Sequence, residues 1–318
     1  MQATGQQPPG FEEMGFEEIV EALRPKLHRY CARMAGSAID GEDIVQDALL
    51  KAMEAFPRDG SIANPEAWLF RIAHNTALDF LRRRIRLQAV VSGQLEEDIA
   101  DPGDEITRRQ IAAMSLRPFM KLSPAERSSV ILMDVIGYSL NEIGEIMEVT
   151  VPAAKAALHR GRTRLKALND SGDGDAALAL TEREHERLAR YVDRFNARDF
   201  DAVRDMLAED VRLDLVGRFV RRGKPGVSQY FGNYGGRSDW FFTVGVVEGR
   251  PAILSHHPED AAREPVNFIL LEWEGDTISL IRDFYHARYA VEGTAMERAP
   301  GVAMPGPSGS GRTPARRS

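Results

Sequence analysis

A single cysteine, Cys31, stands in 318 residues. That excludes an internal disulfide framework and any metal centre built on several thiolates. No apolar run approaches the roughly 18 residues that a membrane-spanning helix needs. The opening stretch MQATGQQPPGFEEM lacks a basic segment followed by an apolar one, so no secretory signal is expected. Histidines are few, and His256-His257 is not followed by ligands at metal spacing, so neither a metal nor a cofactor is expected. These absences favour a reducing, bacterial-type cytoplasm and no membrane partner. What remains is an ordinary globular mixture, 43% hydrophobic and 28% charged. At roughly 150 residues per domain the chain holds two or three.

The net charge of −7 at first argues against nucleic acid. The charge is segregated, however. Val149 to Leu168 contains no acid but carries Lys155, Arg160, Arg162, Arg164 and Lys166. Arg82, Arg83, Arg84 and Arg86 form a second basic cluster, and Glu96, Glu97, Asp98, Asp101, Asp104 and Glu105 an acidic one. Local fields at a binding face matter more than the sum over the molecule.

Helical spacing dominates the first half. Ile44, Val45, Ala48, Leu49, Ala52 and Met53 recur at that period, as do Trp68, Leu69, Ile72, Ala73, Ala77 and Phe80. Asn64-Pro65 separates the two series, because the residue before proline avoids helical dihedrals. Residues 88–106 read as an acidic linker. Ser123-Pro124-Ala125-Glu126 and Ser139-Leu140-Asn141-Glu142 are capping boxes, with Gly137 marking the stop between them. A further helix is expected from about Pro152 to Leu168. After the flexible joint around residues 170–182 the pattern changes. A helix with Leu188, Tyr191, Val192 and Phe195 on one face precedes β-like runs at Val211–Val216, Trp240–Val247, Ala252–Ser255, Val266–Trp273 and Thr277–Tyr285. Residues 293–318 are rich in Gly, Pro, Ser and Arg and are expected to form a disordered tail.

Residues 139–168 carry the most specific pattern. Ile143, Ile146 and Met147 line the inner face of a short helix, and Glu148-Val149-Thr150 is a three-residue turn. The next helix puts Ala154, Ala157, Leu158, Gly161, Leu165 and Leu168 on its packing side. A small-residue packing face opposite a cationic one suits a helix-turn-helix whose second helix enters the major groove. Pro152, Ala153, Lys155, Ala156, His159 and Arg160 are expected to meet base edges. Arg162, Arg164 and Lys166 are expected to meet phosphates, which position without specifying.

Two upstream strings change what such a motif means. Gly41-Glu42-Asp43-Ile44-Val45-Gln46-Asp47-Ala48 opens a helix with Asp43, Gln46, Asp47, Lys51 and Glu54 outermost. Asn64 to Arg84 pairs an aromatic, amide-bearing helix with a basic end, a composition suited to unstacked single-stranded bases. Together with the helix-turn-helix, these strings resemble bacterial RNA polymerase sigma factors of the extracytoplasmic-function (ECF) group. The resemblance covers about residues 14–169 in order. It implies that residues 14–87 form sigma region 2, with Asp43, Gln46, Asp47 and Lys51 on the polymerase clamp. Arg71, His74 and Asn75 would lie near the melted −10 strand, and Arg82, Arg83 and Arg84 on its backbone. Trp68 is expected in the core, and Asp79 beside an arginine. Residues 107–169 would be region 4, reading the −35 element through the helix-turn-helix, with the polymerase flap as its partner. The expected partners are core RNA polymerase, promoter DNA, and an anti-sigma factor or a small-molecule signal. The place of action would be the cytoplasm, at the nucleoid when polymerase-bound.

Residues 183–292 resemble the SnoaL-like α+β cone-shaped barrel, through the N-terminal helix, Asn196-Ala197-Arg198-Asp199-Phe200 and Leu207-Ala208-Glu209-Asp210-Val211. The resemblance implies regulation of the two helical sigma domains in cis. An Asp-Gly-Gly-Gly motif common in one such group is absent, and Asn233-Tyr234-Gly235-Gly236-Arg237 matches it only partly. Asp214, Trp240, His256, Asp283, Tyr285 and His286 are the candidate pocket residues, and a His near an Asp could do general acid–base work. Three readings follow: a sigma factor, a polymerase-independent helix-turn-helix regulator with a ligand-sensing barrel, and a SnoaL-like isomerase or cyclase. The first is preferred, without catalytic residues.

Overall fold

The computed structural model describes residues 15–57, 62–89, 111, 114–169, 180–237, 239–260, 264–292 and 294–299. The chain divides into two compact units, Met1–Gly174 and Asp175–Ser318. The expected acidic cluster at 96–105 lies outside the described residues, as does most of the joint at 170–182.

The first unit is helical. Helix α1 spans Phe16–Ala35, α2 Ala38–Ala55 and α3 Pro65–Ala89. Gly36 ends α1 in the left-handed region, at φ 76°, where glycine has no Cβ penalty. The Ser37 side chain then caps α2 by accepting from the Asp40 N–H at 3.1 Å. The Asn64 side chain caps α3, accepting from Ala67 N–H at 3.0 Å, with Pro65 at the first helical position. A short 3-10 turn, Arg117–Lys121, leads to α4, Pro124–Val130. Helix α4 runs on into a single π turn, Ile131–Ile136, which stops at left-handed Gly137. Helices α5, Leu140–Met147, and α6, Val151–Asn169, follow. Both capping boxes form, Ser123 with Glu126 and Ser139 with Glu142.

The sequence treats α1–α3 and α4–α6 as separate modules, yet in this structure they share one core. Tyr30, Phe70 and Ala73 are buried in the same cluster as Phe119, Ile131, Ile143 and Leu158. Polar bonds stitch the two sets together. The Arg127 guanidinium donates to the carbonyls of Met34 at 2.5 Å, Met120 at 3.2 Å and Leu122 at 2.9 Å. Tyr138 donates to Glu66 at 2.7 Å, with its ring edge-on to Phe70.

The second unit is α+β. Helices α7, Glu182–Asn196, and α8, Phe200–Asp205, precede β1, Leu207–Leu215, and β2, Phe219–Arg222. Helix α9, Gly223–Gly235, then leads to β3, Phe241–Val247, β4, Arg250–His256, β5, Pro265–Glu274, and β6, Thr277–Asp283. Helix α10, Arg288–Val291, and β7, Met296–Arg298, complete it. The strand order is β2-β1-β6-β5-β4-β3-β7, all antiparallel except the β1–β6 pair. The expected barrel is an open sheet among the described residues, with β2 and β7, four and three residues long, as its two edges. Register shifts in β1, β4 and β5 bend it, as bulges do. The expected tail boundary at residue 293 also moves. Met296–Arg298 pairs with β3, and the Ala299 N–H donates to Val244 O at 3.0 Å.

One close approach sets the α1–α2 crossing. A Cβ on Gly41 would stand 2.5 Å from both Cα and N of Ala32, atoms that cannot rotate away. Gly41→Ala should cost about 2–3 kcal/mol through that overpacking. Gly232 in α9 has nothing within 4 Å of such a Cβ. There the same change should stabilise by about 0.5–1 kcal/mol. Chemical denaturation of the two variants checks the contrast; equal effects would contradict it.

Candidate nucleic-acid interface

Helix α2 buries Ile44, Val45, Ala48 and Ala52. Asp47, Lys51 and Glu54 are exposed on the other side, and Asp43 and Gln46 are half-buried. Two residues on this outer side were missed. Leu50 and Met53 are 56% and 59% exposed, although Met53 fits the apolar series by spacing. The outer face thus mixes acids with apolar side chains, a composition suited to a protein partner. Lys51 Nζ lies 3.2 Å from Thr76 Oγ1 and 4.0 Å from Asp79, so it leans toward α3.

Helix α3 presents Arg71, Asn75, Arg82 and Arg83 to solvent. Arg82 pairs with Asp79 at 3.1 Å. Arg84 reaches back to Ala35 O at 3.3 Å and Asp40 at 3.4 Å. Trp68 is half-buried against the shared core, its ring 6.2 Å from that of Phe56. His74 is placed differently from Asn75. Its Nδ1 lies 2.8 Å from Tyr30 Oη and 3.2 Å from Ser128 Oγ, and those two oxygens are 2.7 Å apart. All three side chains are buried. Burial, with Arg82 adding a smaller effect, lowers the His74 pKa to about 4. The imidazole is therefore neutral at physiological pH and turned into the junction between α3 and α4.

The helix-turn-helix forms as the spacing requires. Glu148 takes a left-handed conformation, φ 54°, and its N–H bonds back to Gly144 O. A Cβ on Gly144 would stand 3.0 Å from the Val149 carbonyl, so the glycine keeps the turn tight. Thr150 Oγ1 then accepts from Ala153 N–H at 3.4 Å. Ala154, Ala157, Leu158, Gly161 and Leu165 are buried. Pro152, Ala153, Lys155, Ala156, His159 and Arg160 are all exposed. Gly161 lets α6 lie close on α4, where a Cβ would meet Val130 Cγ2 at 2.6 Å.

The arginines of α6, Arg160 expected on base edges and Arg162 and Arg164 on phosphates, divide into two kinds. Arg160 and Arg164 pair with the two oxygens of Glu126 at 3.1 and 3.3 Å. Arg160 is mostly exposed in this pair, while the Glu126 carboxylate is buried and also accepts from the Ser123 N–H at 3.2 Å. Arg162 grips Asp134 with two bonds, 2.9 and 2.6 Å, and the Asp134 side chain is completely buried. Arg162 therefore fastens α6 to the π turn after α4.

The candidate pocket residues of the second unit do not converge. Strand register puts Ile253, Ile269 and Asp283 on one sheet face, against α7 and α9. Thr243, Leu254 and Phe268 point to the other, as does His256, which lies opposite Phe241. His256 bonds Thr243 at 2.8 Å and stacks on Phe241. His256 and Asp283 form no His–Asp acid–base pair, since the two side chains leave opposite faces. Asp214 pairs with Arg282, while Tyr285 and His286 are exposed. Asp283 and Trp240 do share a neighbourhood with Tyr191, Tyr230 and Tyr234, three tyrosines that alternation alone did not single out. Among the described residues no group of three or more His, Cys, Asp or Glu could hold a metal, and no helix is long and apolar enough to cross a membrane.

Two outcomes follow from these side chains. Arg162→Ala leaves a buried carboxylate without its cation and should cost about 3 kcal/mol. Lys155→Ala, on the exposed face, should change stability by less than about 0.5 kcal/mol; denaturant midpoints measure both. For His74, protonation is easier in the unfolded chain, near pH 6.5, than in the folded one, near 4. Its contribution to stability is present above about pH 6.5 and is lost as pH falls toward 4, by at most about 3 kcal/mol. Unfolding at pH 7.5 and 4.5 should show this loss in the native protein and a reduced loss in His74→Gln.

Comparison with known proteins agrees with this geometry. The family model for Sigma-70 region 2 matches residues 19–87, and that for Sigma-70 region 4 matches residues 119–165. SigG, an ECF RNA polymerase sigma factor of Mycobacterium tuberculosis, is 28% identical over 237 residues, covering 67% of this chain and 64% of SigG. The chain therefore spans less than two thirds of that relative. The RNA polymerase sigma factor CarQ of Myxococcus xanthus is 30% identical over 160 residues, 48% of this chain and 88% of CarQ. The crystal structure of the extracytoplasmic function sigma factor SigJ of Mycobacterium tuberculosis aligns with 84% of this chain and 95% of its own, at 20% identity and a TM-score of 0.35. With both sigma regions matched in order on the helices just described, and CarQ matched over most of its length, the chain belongs to the ECF group of RNA polymerase sigma factors.

Proposed function

We propose that this chain binds core RNA polymerase and directs it to particular promoters. The observation that carries the reading is the row Pro152, Ala153, Lys155, Ala156, His159 and Arg160, exposed on a helix whose opposite side is anchored by Leu158, Gly161, Leu165 and the Arg162–Asp134 pair. In this reading residues 107–169 take duplex DNA at the −35 element, with Arg160 and Arg164 exchanging Glu126 for phosphate. Residues 14–87 take the opened −10 strand through Arg71, His74, Asn75 and the arginines at 82–84. Asp43, Gln46, Asp47 and Lys51, joined by Leu50 and Met53, meet the polymerase clamp, and region 4 meets the flap. The chain acts in the cytoplasm, at the nucleoid when polymerase-bound, and has no catalytic role of its own. Its α+β unit, residues 183–292, modulates activity in cis, and an anti-sigma factor is a further expected partner.

The reading has a mechanical requirement. His74 reaches a DNA strand only if α3 parts from α4, because Tyr30 and Ser128 hold it between them. Parting the helices also exposes apolar surface of the shared core. Polymerase compensates by offering each helical set its own contact surface, and unstacking a promoter base costs a few kcal/mol more. Free protein should therefore bind promoter duplex weakly or not at all.

Run-off transcription with core polymerase on a pool of genomic fragments tests this. Full-length protein should yield discrete promoter-dependent transcripts. Lys155→Ala with Arg160→Ala should reduce them about tenfold or more, the scale of one or two lost DNA contacts. Asp47→Ala should reduce all transcripts together. Tight, specific duplex binding without polymerase, indifferent to Asp47, would instead identify a conventional regulator.

A further inference from the structure

One edge of the α+β sheet carries features that promoter recognition does not use. Strand β2, Phe219-Val220-Arg221-Arg222, pairs only with β1 among the described residues, and all four of its residues are exposed. The Arg218 N–H closes the hairpin on Leu215 O at 2.9 Å, with Gly217 in the left-handed region at φ 78°. As the end strand, β2 turns every second N–H and C=O away from the sheet.

Charge on an edge strand commonly guards it against pairing. An exposed aromatic and an exposed β-branched residue do the opposite, and Phe219 and Val220 are 40% and 43% exposed. The other edge shows the contrast. Strand β7 is three residues long and sets Glu297 beside Arg298. The charges of β2 are all positive.

These cations exceed what folding requires. Arg222 stands directly opposite Arg212 of β1, an arrangement of like charges that costs stability. Among the described residues no acid pairs with Arg218, Arg221 or Arg222. On β1, Asp214 is engaged by Arg282 at 3.4 Å and Glu209 by Lys224 at 2.7 Å. The Arg221 guanidinium lies 4.5 Å from the centre of the Phe219 ring, so the two share a face. Strand alternation puts Val220 and Arg222 on the other. Each face thus shows one apolar and one cationic side chain.

We propose that β2 accepts, as an eighth strand, an extended segment of a partner protein whose residues run acid-acid-apolar-apolar. Paired antiparallel, its two acids lie opposite Arg222 and Arg221, and its two apolar residues opposite Val220 and Phe219. Main-chain bonds supply the affinity and the side chains select the sequence. Carboxylates facing arginines add charge-assisted bonds. A phosphate chain would satisfy the arginines but leave the edge N–H and C=O groups and Val220 without a role. A second copy of the strand would only add unpaired arginines to those already there. Strand β2 lies outside both sigma regions, so its test needs neither polymerase nor promoter.

A fluorescein-labelled peptide, Thr-Glu-Glu-Val-Ile-Thr, is titrated with the full-length chain and followed by anisotropy. Its dissociation constant should be on the order of 100 µM, as suits a short strand with few anchors. Two further versions are N-methylated on alternate amides, one on each set. Both keep the charge, but only one set faces β2, so one version should bind at least about tenfold more weakly than the other. Arg221→Glu with Arg222→Glu should weaken the parent peptide about tenfold or more, since acid then faces acid. The methylated pair keeps the test intact if that double variant folds poorly. No binding of the parent peptide, equal binding of the two methylated versions, or an affinity unchanged by the double change overturns the proposal. So does binding of a twelve-nucleotide oligothymidylate that the double change abolishes, which assigns the arginines to nucleic acid. A dimer that the double change dissolves assigns the edge to a second copy and overturns it as well.

Discussion

The junction of Tyr30, His74 and Ser128 is the constraint on which the rest of the helical unit depends. It joins α1, α3 and α4 through three mutually bonded side chains in a core that excludes water. Arg127 and the Tyr138–Glu66 bond hold the same seam. Because buried polar groups are costly once separated from their partners, such a seam has two comfortable states. Either the helical sets stay together with every group paired, or they part and each face finds a new partner. In the proposed function, polymerase or promoter DNA offers the face that the second state requires.

The same logic explains how α6 can be both anchored and available. Its inner side is fixed by Gly161 against Val130 and by Arg162 against buried Asp134. Its outer side carries Lys155, His159 and Arg160, none of which is needed to hold the fold. Affinity for phosphate can then be tuned on one side without disturbing the other. On α2 the division is similar. Small buried residues set the crossing with α1, and acids with Leu50 and Met53 are left for a partner.

How much of this was legible in the sequence depended on the range of the interaction. Both capping boxes, the three-residue turn and the exposed row on α6 are local patterns, and they read directly. The turns between β3 and β4 and between β5 and β6 are local too, with Gly249 and Gly275 in left-handed conformations. The His74 junction did not read, because its members are 44 and 54 positions apart and each looks ordinary in its own helix. Arg162 had the charge and period of a phosphate ligand, and only the fold reveals Asp134 behind it. Met53 obeyed the apolar period yet faces outward, which spacing alone does not foresee. Strand β2 escaped notice because all four of its residues are exposed, two of them arginines, and so carry no alternation. Helix α9 was hidden by four glycines and Pro225. The parallel β1–β6 pairing and the tyrosines around Asp283 are likewise products of topology.

In the proposed function the helical sets part when the chain works. Spin labels on α2 at Glu54→Cys and on α6 at Lys166→Cys, with buried Cys31 inaccessible to the label, give that distance by pulsed electron resonance. A single short distance is expected in the free chain, and a longer one in the transcribing complex with core polymerase and promoter DNA. An unchanged distance in a complex that is making transcripts would contradict the account.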